Sequence, residues 1–289
     1  MKRSLGEKAF NVFNIIFLGI CALIMIYPFY FVVIRSVMPY QELVQSKLTL
    51  WPKSFTFESY KAILGYKYIT SGFLVTVMLV VCGVPLTLAG NLMFAYGLTK
   101  RALPGRAFIN AFITIPMFVG GGLIPGYLLI KNLGLINSWL SIILPAFMST
   151  YYLVVSRSFF ESIPTELEES AMLDGASYLT IFIRIVIPLS LPIITTIALF
   201  SAVNRWNGWY NAMLYLNDKN KWPLALVLRD ILINNNTSDM ATDNRDSMFM
   251  MEENLKMATV VVSIVPILII YPFIQKYFTK GMMLGAVKS

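Results

Sequence analysis

The sequence predicts an all-α protein: a polytopic membrane helix bundle with six transmembrane helices and both termini cytoplasmic. Three observations predict it. First, 57% of the 289 residues are hydrophobic and only 13% are charged, about half the charge of an average soluble domain. A soluble fold could not cover so much apolar surface. Second, the stretches 9–34, 68–99, 107–130, 132–156, 185–204 and 257–275 contain no Asp, Glu, Lys or Arg. Each is long enough for a bilayer-spanning helix of roughly 17–25 residues, and backbone groups in hydrocarbon must be satisfied within a helix. Third, residues 1–8 hold Lys2, Arg3 and Lys8 against Glu7, and residues 100–106 hold three basic groups and no acid. Short basic flanks of this kind face the cytoplasm, and six spans return the chain to the side it left.

Taken in order, the spans fall at about 10–34, 71–98, 107–130, 138–156, 185–204 and 257–276, within one transmembrane domain covering 1–289. The first follows a basic stretch, as a secretory signal would. Its apolar part is too long for a signal and no small-x-small cleavage site follows, so it reads as a retained helix. Cys21 and Cys82 both fall inside spans and read as apolar thiols rather than a disulfide. The outside segments are 35–70, 131–137 and 205–256. The first contains Trp51-Pro52 and a short helix near 58–64; the second is a tight turn; the third is long, polar and contains Asn234-Asn235-Asn236. Span three is interrupted by Pro116, Gly120-Gly121-Gly122 and Pro125, which predicts a kink or an unwound turn. Such backbone either lines a pathway, being tolerated only against protein or a cavity, or marks close packing on a neighbouring helix.

Several function classes drop out. The chain has no histidine, which removes the commonest general base and transition-metal ligand; no catalytic residue and no metal site is expected. It lacks G-x4-G-K-[ST], so it holds no P-loop for ATP. The six runs carry no ionisable acid or base, which argues against proton coupling through intramembrane relays; sodium coupling through backbone carbonyls stays open. The net charge of +8 reads as basic membrane flanks, and no basic cluster on a soluble domain speaks for nucleic acid.

The segment 157–184 carries the most specific pattern. Thr165-x-x-Glu168, with Pro164 before it, reads as a capping box. Glu166, Glu168 and Glu169 lie in the first turns, where carboxylates favour the helix dipole. Leu167 and Ala171 are four apart and share a face. Asp174-Gly175 supplies the stop. A second helix then carries Phe182 into an apolar span marked by Pro188 and Pro192. The outcome is a short helix with a small apolar face and an acidic face, joined at a glycine corner to the next span.

This segment resembles the cytoplasmic loop of ABC importer permeases, E-A-A-x2-D-G-A-x5-F-x2-I-x-L-P-L-x2-P. Ten of the twelve specified positions match from Glu169 onwards, with Ser170 in place of alanine and Ile187 in place of leucine. Gly120-Gly121-Gly122-Leu123, Trp206-Asn207-Gly208-Trp209-Tyr210 and Lys280-Gly281-Met282-Met283 are similar to the sugar branch of these permeases. Tyr215-Leu216-Asn217 with Trp222-Pro223-Leu224 looks like the oligosaccharide-importing subgroup. The resemblance implies a non-catalytic subunit in a bacterial or archaeal plasma membrane, embedded in membrane lipid. Its partners would be a second, homologous permease, two ATPase subunits that bind ATP and Mg, and an extracytoplasmic sugar-binding protein. Glu169, Ala171, Asp174, Gly175, Ala176 and Phe182 would occupy the ATPase-contacting positions, flanked by Thr165, Leu167 and Glu168.

Substrate contacts are less legible. Trp206, Trp209, Tyr210, Tyr215 and Trp222 cluster beyond span five. They read either as an interfacial aromatic belt or as rings stacking on sugar C–H faces. Asn91, Asn110 and Asn204 read either as interhelical hydrogen bonding or as ligand contacts. The loop with Arg35, Lys47, Lys53, Lys61 and Lys67 against Glu42 and Glu58 is either a solvated surface or one suited to an acidic sugar or an acidic face of a binding protein.

Overall fold

The computed structural model describes residues 5–45, 51–234, 253–266 and 268–269. Every regular element among them is helical. The Asn235-Asn236 pair and residues 267 and 270–276 of the expected sixth span lie outside the described residues. The chain divides into two compact units, 1–67 with 228–266 and 68–227 with 267–289, and each is taken by itself.

In the first unit, α1 (Leu5–Ser36) is apolar around its circumference. Phe10–Ser36 qualifies as a single membrane span with none of its apolar window buried in the protein. Such a helix needs an apolar environment outside its own chain. After α1 the chain folds back on itself: Thr56 N–H donates to Val37 O at 2.8 Å, and Ser36 Oγ lies 2.6 Å from Tyr60 OH. Short helices α2 (Tyr40–Gln45) and α3 (Glu58–Gly65) follow, the second where the sequence placed one. Met38, Ile63, Leu255 and Ala258 are buried. Asn254 Nδ2 donates to Met38 O, and Arg35 pairs with Glu253 at 3.9 Å.

In the second unit the organising element is α4 (Lys67–Thr99), also a full span. Its glycines are where neighbours approach. A Cβ on Gly90 would stand 2.7 Å from Phe147 Cζ, and one on Gly83 would stand 2.4 Å from Arg205 Cζ. Small residues at these points let polar and aromatic side chains cross between helices. Asn91, fully buried, donates to Thr87 O (2.7 Å) and Phe147 O (3.2 Å) and accepts from Ser149 N–H.

Span three is broken as the Pro-Gly pattern foretells. α5 (Arg106–Phe118) and α6 (Leu123–Asn132) meet at 118°, across Gly122 at φ +84°. The expected span at 138–156 takes a different form. A one-turn helix, α7 (Leu140–Ile143), stops before Pro145, and α8 (Thr150–Glu161) starts afresh. The 144–149 backbone is irregular, and a charge-free run carries no signal of that break. Span five is also bent. A helix from Tyr178 to Leu189 meets the later one, Leu191–Trp206, at 81°, at the buried Ser190.

The helix of span five outruns its charge-free stretch. The charge-free run ends at Asn204, but the helix continues to Trp206 and includes Arg205, which is buried. Its Nη2 donates to Thr87 Oγ1 at 2.8 Å and to Ala146 O at 3.3 Å. The helix therefore buries an arginine one residue beyond the charge-free run; arginine keeps its proton and is no relay.

Candidate functional site

The 157–184 segment folds into a short helix, a corner and a second helix rooted in the core. α9 spans Thr165–Leu173. Its end is a complete Schellman motif. Gly175 N–H donates to Met172 O at 3.0 Å, Ala176 N–H donates to Ala171 O at 2.9 Å, and Gly175 has φ +80°. The next helix, α10 (Tyr178–Ile181), is capped by Ser177, whose Oγ accepts from Thr180 N–H. It runs into a π-helical turn, Phe182–Val186.

The capping box does not form. Pro164 is the N-cap, no side chain caps α9, and Thr165 is already helical. Glu168 is drawn elsewhere: Lys100 Nζ, at the end of α4, donates to its Oε2. Both side chains are about three-quarters buried. The same ammonium lies 4.0 Å from the Tyr96 ring centroid and 5.5 Å from that of Tyr178. A charged pair with a close tertiary partner prevails over a local cap because its bond is charge-assisted and partly shielded from water.

Below this pair is the socket. Phe182 is buried and stacks on Tyr96 with centroids 5.1 Å apart, and Tyr96 meets Phe160 edge-on at 6.5 Å. Ile181, Val186, Leu92, Ala95 and Leu153 complete the cluster, with Ala171 and Ala176 packed against it. α9 and its corner are thus packed, through Ala171 and Ala176, against side chains of α4 and α8.

The face of α9 turned away from the cluster differs from the one the heptad-like spacing suggested. Ala171 is turned partly inward. The exposed apolar side chains are Leu167, Met172, Leu173 and, beyond the corner, Tyr178 and Leu179; Leu173 is 90% exposed. Glu166, Glu169 and Asp174 are exposed beside them. Lys100, Tyr96, Ser177 and Leu173 therefore belong to this site although sequence spacing did not single them out. The basic 100–106 segment was a signal for orientation, and it doubles as the source of the ion-pair partner.

The other candidate residues do not converge. Asn91 is spent on the α4–Phe147 contact described above. Asn110 lies at the coupling-loop end of α5, where Arg157 Nη1 donates to its Oδ1 at 2.7 Å. Asn204 Nδ2 donates to Tyr152 OH at 3.2 Å. Trp206 meets Phe73 edge-on at 5.9 Å, and Trp209 meets Tyr210 at 5.5 Å. At that end Asn137, at φ +60°, joins the 131–137 turn to the following loop. Its Oδ1 accepts from the N–H groups of Asn217 and Asp218, and Lys221 Nζ donates to its carbonyl at 2.7 Å. Among the described residues, no group of three or more Cys, Asp or Glu is placed to hold a metal.

With this geometry in place, comparison with known proteins is decisive. Residues 83–284 match the family described as "Binding-protein-dependent transport system inner membrane component". The chain belongs to that family. The match takes in α9, its glycine corner and the aromatic cluster on α4. The permease is 39% identical to Protein LplC of Bacillus subtilis, over all of this chain and 98% of that one. It is 40% identical to the polygalacturonan/rhamnogalacturonan transport system permease protein YtcP of the same organism, over 98% of this chain and 99% of that one. A chain from the crystal structure of a bacterial ABC transporter involved in the import of the acidic polysaccharide alginate superposes with a TM-score of 0.88. That chain is 30% identical, and the superposition covers 96% of the permease and 99% of its neighbour. A chain from an alginate transporter bound to a pentasaccharide-loaded periplasmic protein superposes at 0.58 with 13% identity, a likeness of fold alone. The permease is thus an inner-membrane, non-catalytic subunit of an ABC import system that depends on a binding protein.

Proposed function

We propose that the permease translocates oligosaccharides released from acidic plant or algal polysaccharides, and that its α9 lever transmits the stroke of a separate ATPase. The observation that carries the coupling assignment is the rooting of that lever. A short helix with an exposed acidic and apolar face is joined by a fixed glycine corner to Phe182, inside the aromatic socket on α4. The substrate class is supported by the names of the relatives at 40% and 30% identity, which transport polygalacturonan, rhamnogalacturonan or alginate.

In this mechanism the machine has two homologous permeases and two ATPase subunits, and this chain contributes six spans with both termini cytoplasmic. A loaded binding protein docks on 35–70 and 205–256. ATP-driven closure pushes Leu173 and the acidic side chains of α9, the Tyr96–Phe182 stack carries the displacement to α4, and the bundle exposes the sugar inward. Trp206, Trp209, Tyr210 and Asn204 stand at the far end of α11 (Leu191–Trp206) from the lever, where a sugar or a binding protein would arrive.

Uptake of labelled oligogalacturonides, alginate oligomers and neutral arabino-oligosaccharides by cells with and without this chain tests the proposal. Loss of acidic-oligosaccharide uptake on deletion, with an ATPase co-purifying, is the expected result. Uptake that persists without ATP would overturn the coupling assignment. Cysteine at Arg101 should be shielded from an impermeant thiol reagent in intact cells and cysteine at Lys53 labelled; the reverse would invert the topology.

A further inference from the structure

Beside the lever, α5 and α8 leave a crevice of about 150 Å³ that the import mechanism does not use. Its walls divide into two chemistries. Leu98, Ile113, Leu153 and Val154 are apolar; Asn110, Arg157, Ser158 and Glu161 bring polar atoms to one end, and Thr114, whose hydroxyl donates to Asn110 O, lies deeper. Position along the helices orders them. α8 finishes at Glu161 and α5 begins at Arg106, both at the coupling-loop end; Leu153 and Ile113 lie a turn or more deeper. With the spans proposed above, the charged end would fall at headgroup level and the deeper end within hydrocarbon.

The charges do not balance. Arg157 Nε donates to Glu161 Oε1 at 2.9 Å, and Arg106 Nη2 donates to the same oxygen at 3.0 Å. Arg157 Nη1 donates to Asn110 Oδ1 and Arg106 Nε to Leu98 O. Two guanidinium groups therefore share one carboxylate, leaving one excess positive charge. Among the described residues Arg157 Nη2 and Arg106 Nη1 donate to no protein group. Both arginine side chains are about three-quarters buried, yet these two nitrogens stay open to the outside, where a headgroup can reach them.

We infer that this crevice binds one anionic phospholipid from the leaflet on the coupling-loop side. Its phosphate would lie at Arg157, at the polar end of the crevice, with Arg106 just outside the lining and tied to it through Glu161, and an acyl chain would run along Ile113, Leu153 and Val154. A phosphodiester carries the single negative charge that neutralises the cluster. It also accepts from both spare guanidinium donors in the paired geometry arginine favours. Basic pockets between membrane helices on the cytoplasmic side take acidic headgroups in this way. A sugar fits poorly, because the deeper wall is mostly apolar and the Thr114 hydroxyl there already donates to Asn110 O. Free phosphate would leave that wall uncovered. The depth of the crevice and the naming of the leaflet rest on the topology proposed above.

The test is native mass spectrometry of the purified permease with its co-purifying subunits, titrated with phosphatidylglycerol and with phosphatidylcholine. Phosphatidylglycerol should be retained about tenfold better. Arg157→Ala and Arg106→Gln should each abolish that preference, and Arg157→Lys should retain most of it. Val154→Trp, which fills the apolar end and leaves both arginines, should also lose the lipid; it carries the test if Arg157→Ala does not fold. Equal retention of the two lipids, or a preference that survives Val154→Trp, overturns the inference. Displacement of the lipid by inorganic phosphate would reassign the site to a free anion and overturn it equally. The readout is lipid retention, so it stands apart from whether the chain imports sugar.

Discussion

Replacing Lys100 by Met leaves Glu168 facing Tyr96 and Tyr178 with no counter-charge. An exposed ion pair would be worth little, about 0–1 kcal/mol. This pair is about three-quarters buried on both sides, which puts it nearer the roughly 1.5–3 kcal/mol of a hydrogen bond to a charged group. The ammonium also faces the Tyr96 ring at 4.0 Å, adding about 0.5–1 kcal/mol. Taking about 2 kcal/mol as the share that holds α9 against α4, its loss shifts the seated-to-loose ratio of the lever about 30-fold. A loose lever receives the ATPase stroke without passing it on. Proteoliposomes containing the whole transporter should show sugar imported per ATP falling about tenfold or more for Lys100→Met and for Glu168→Gln. Because both changes remove the same bond, the double variant should be no worse than either single one. If the losses multiply, or if neither single change alters the sugar-to-ATP ratio, the pair does not transmit the stroke and the reasoning fails.

Other substitutions probe the corner, the knob and the bundle. At Gly175 a Cβ would meet nothing within 4 Å, so only the positive φ resists substitution. Gly175→Asn should keep most uptake, and Gly175→Val should lose it, at a conformational cost of about 1–2 kcal/mol; equal uptake by the two would show that the corner carries no strain-sensitive geometry. Leu173→Asp should abolish co-purification of the ATPase, since the side chain is 90% exposed. Ala171→Asp should instead lower the thermal stability of the permease, because Ala171 packs on its own core; a melting curve and a pull-down separate the two. Gly83→Ala should destabilise by about 1–3 kcal/mol through overpacking, because its Cβ would stand 2.4 Å from Arg205 Cζ. Adding Arg205→Met should recover part of that loss, as read by the melting temperature in detergent.

The sequence was most legible where structure is local. The glycine corner follows from Asp174-Gly175, the break in span three from its prolines and glycines, and α3 from residues 58–64, because each is decided by neighbours in the chain. Legibility fell where a distant partner decides. Thr165-x-x-Glu168 has the form of a capping box, yet Glu168 is taken by Lys100, 68 residues away. Leu167 and Ala171 share a face by spacing, but spacing does not say which face turns to the core. Arg205 escaped because charge-free runs locate a span and not its last turn. The break at 144–149 has a proline as its only local mark.

The π-helical turn at Phe182–Val186, where Ile187 N–H reaches back to Phe182 O, gives the lever a property that composition alone does not reveal. Such a turn holds one more residue than an α-helical turn, and one residue of helix is about 100° of rotation. The turn is therefore an angular offset between the lever and the span it drives. Substitutions on either side alter the strength of contacts, whereas deleting a single residue here would re-aim the entire span and leave the local chemistry of both ends untouched. Chain length across these five residues should accordingly be held more tightly than residue identity. The same property makes the turn a natural dial: one residue added or removed rotates the output of the lever without redesigning either the surface that is pushed or the bundle that moves.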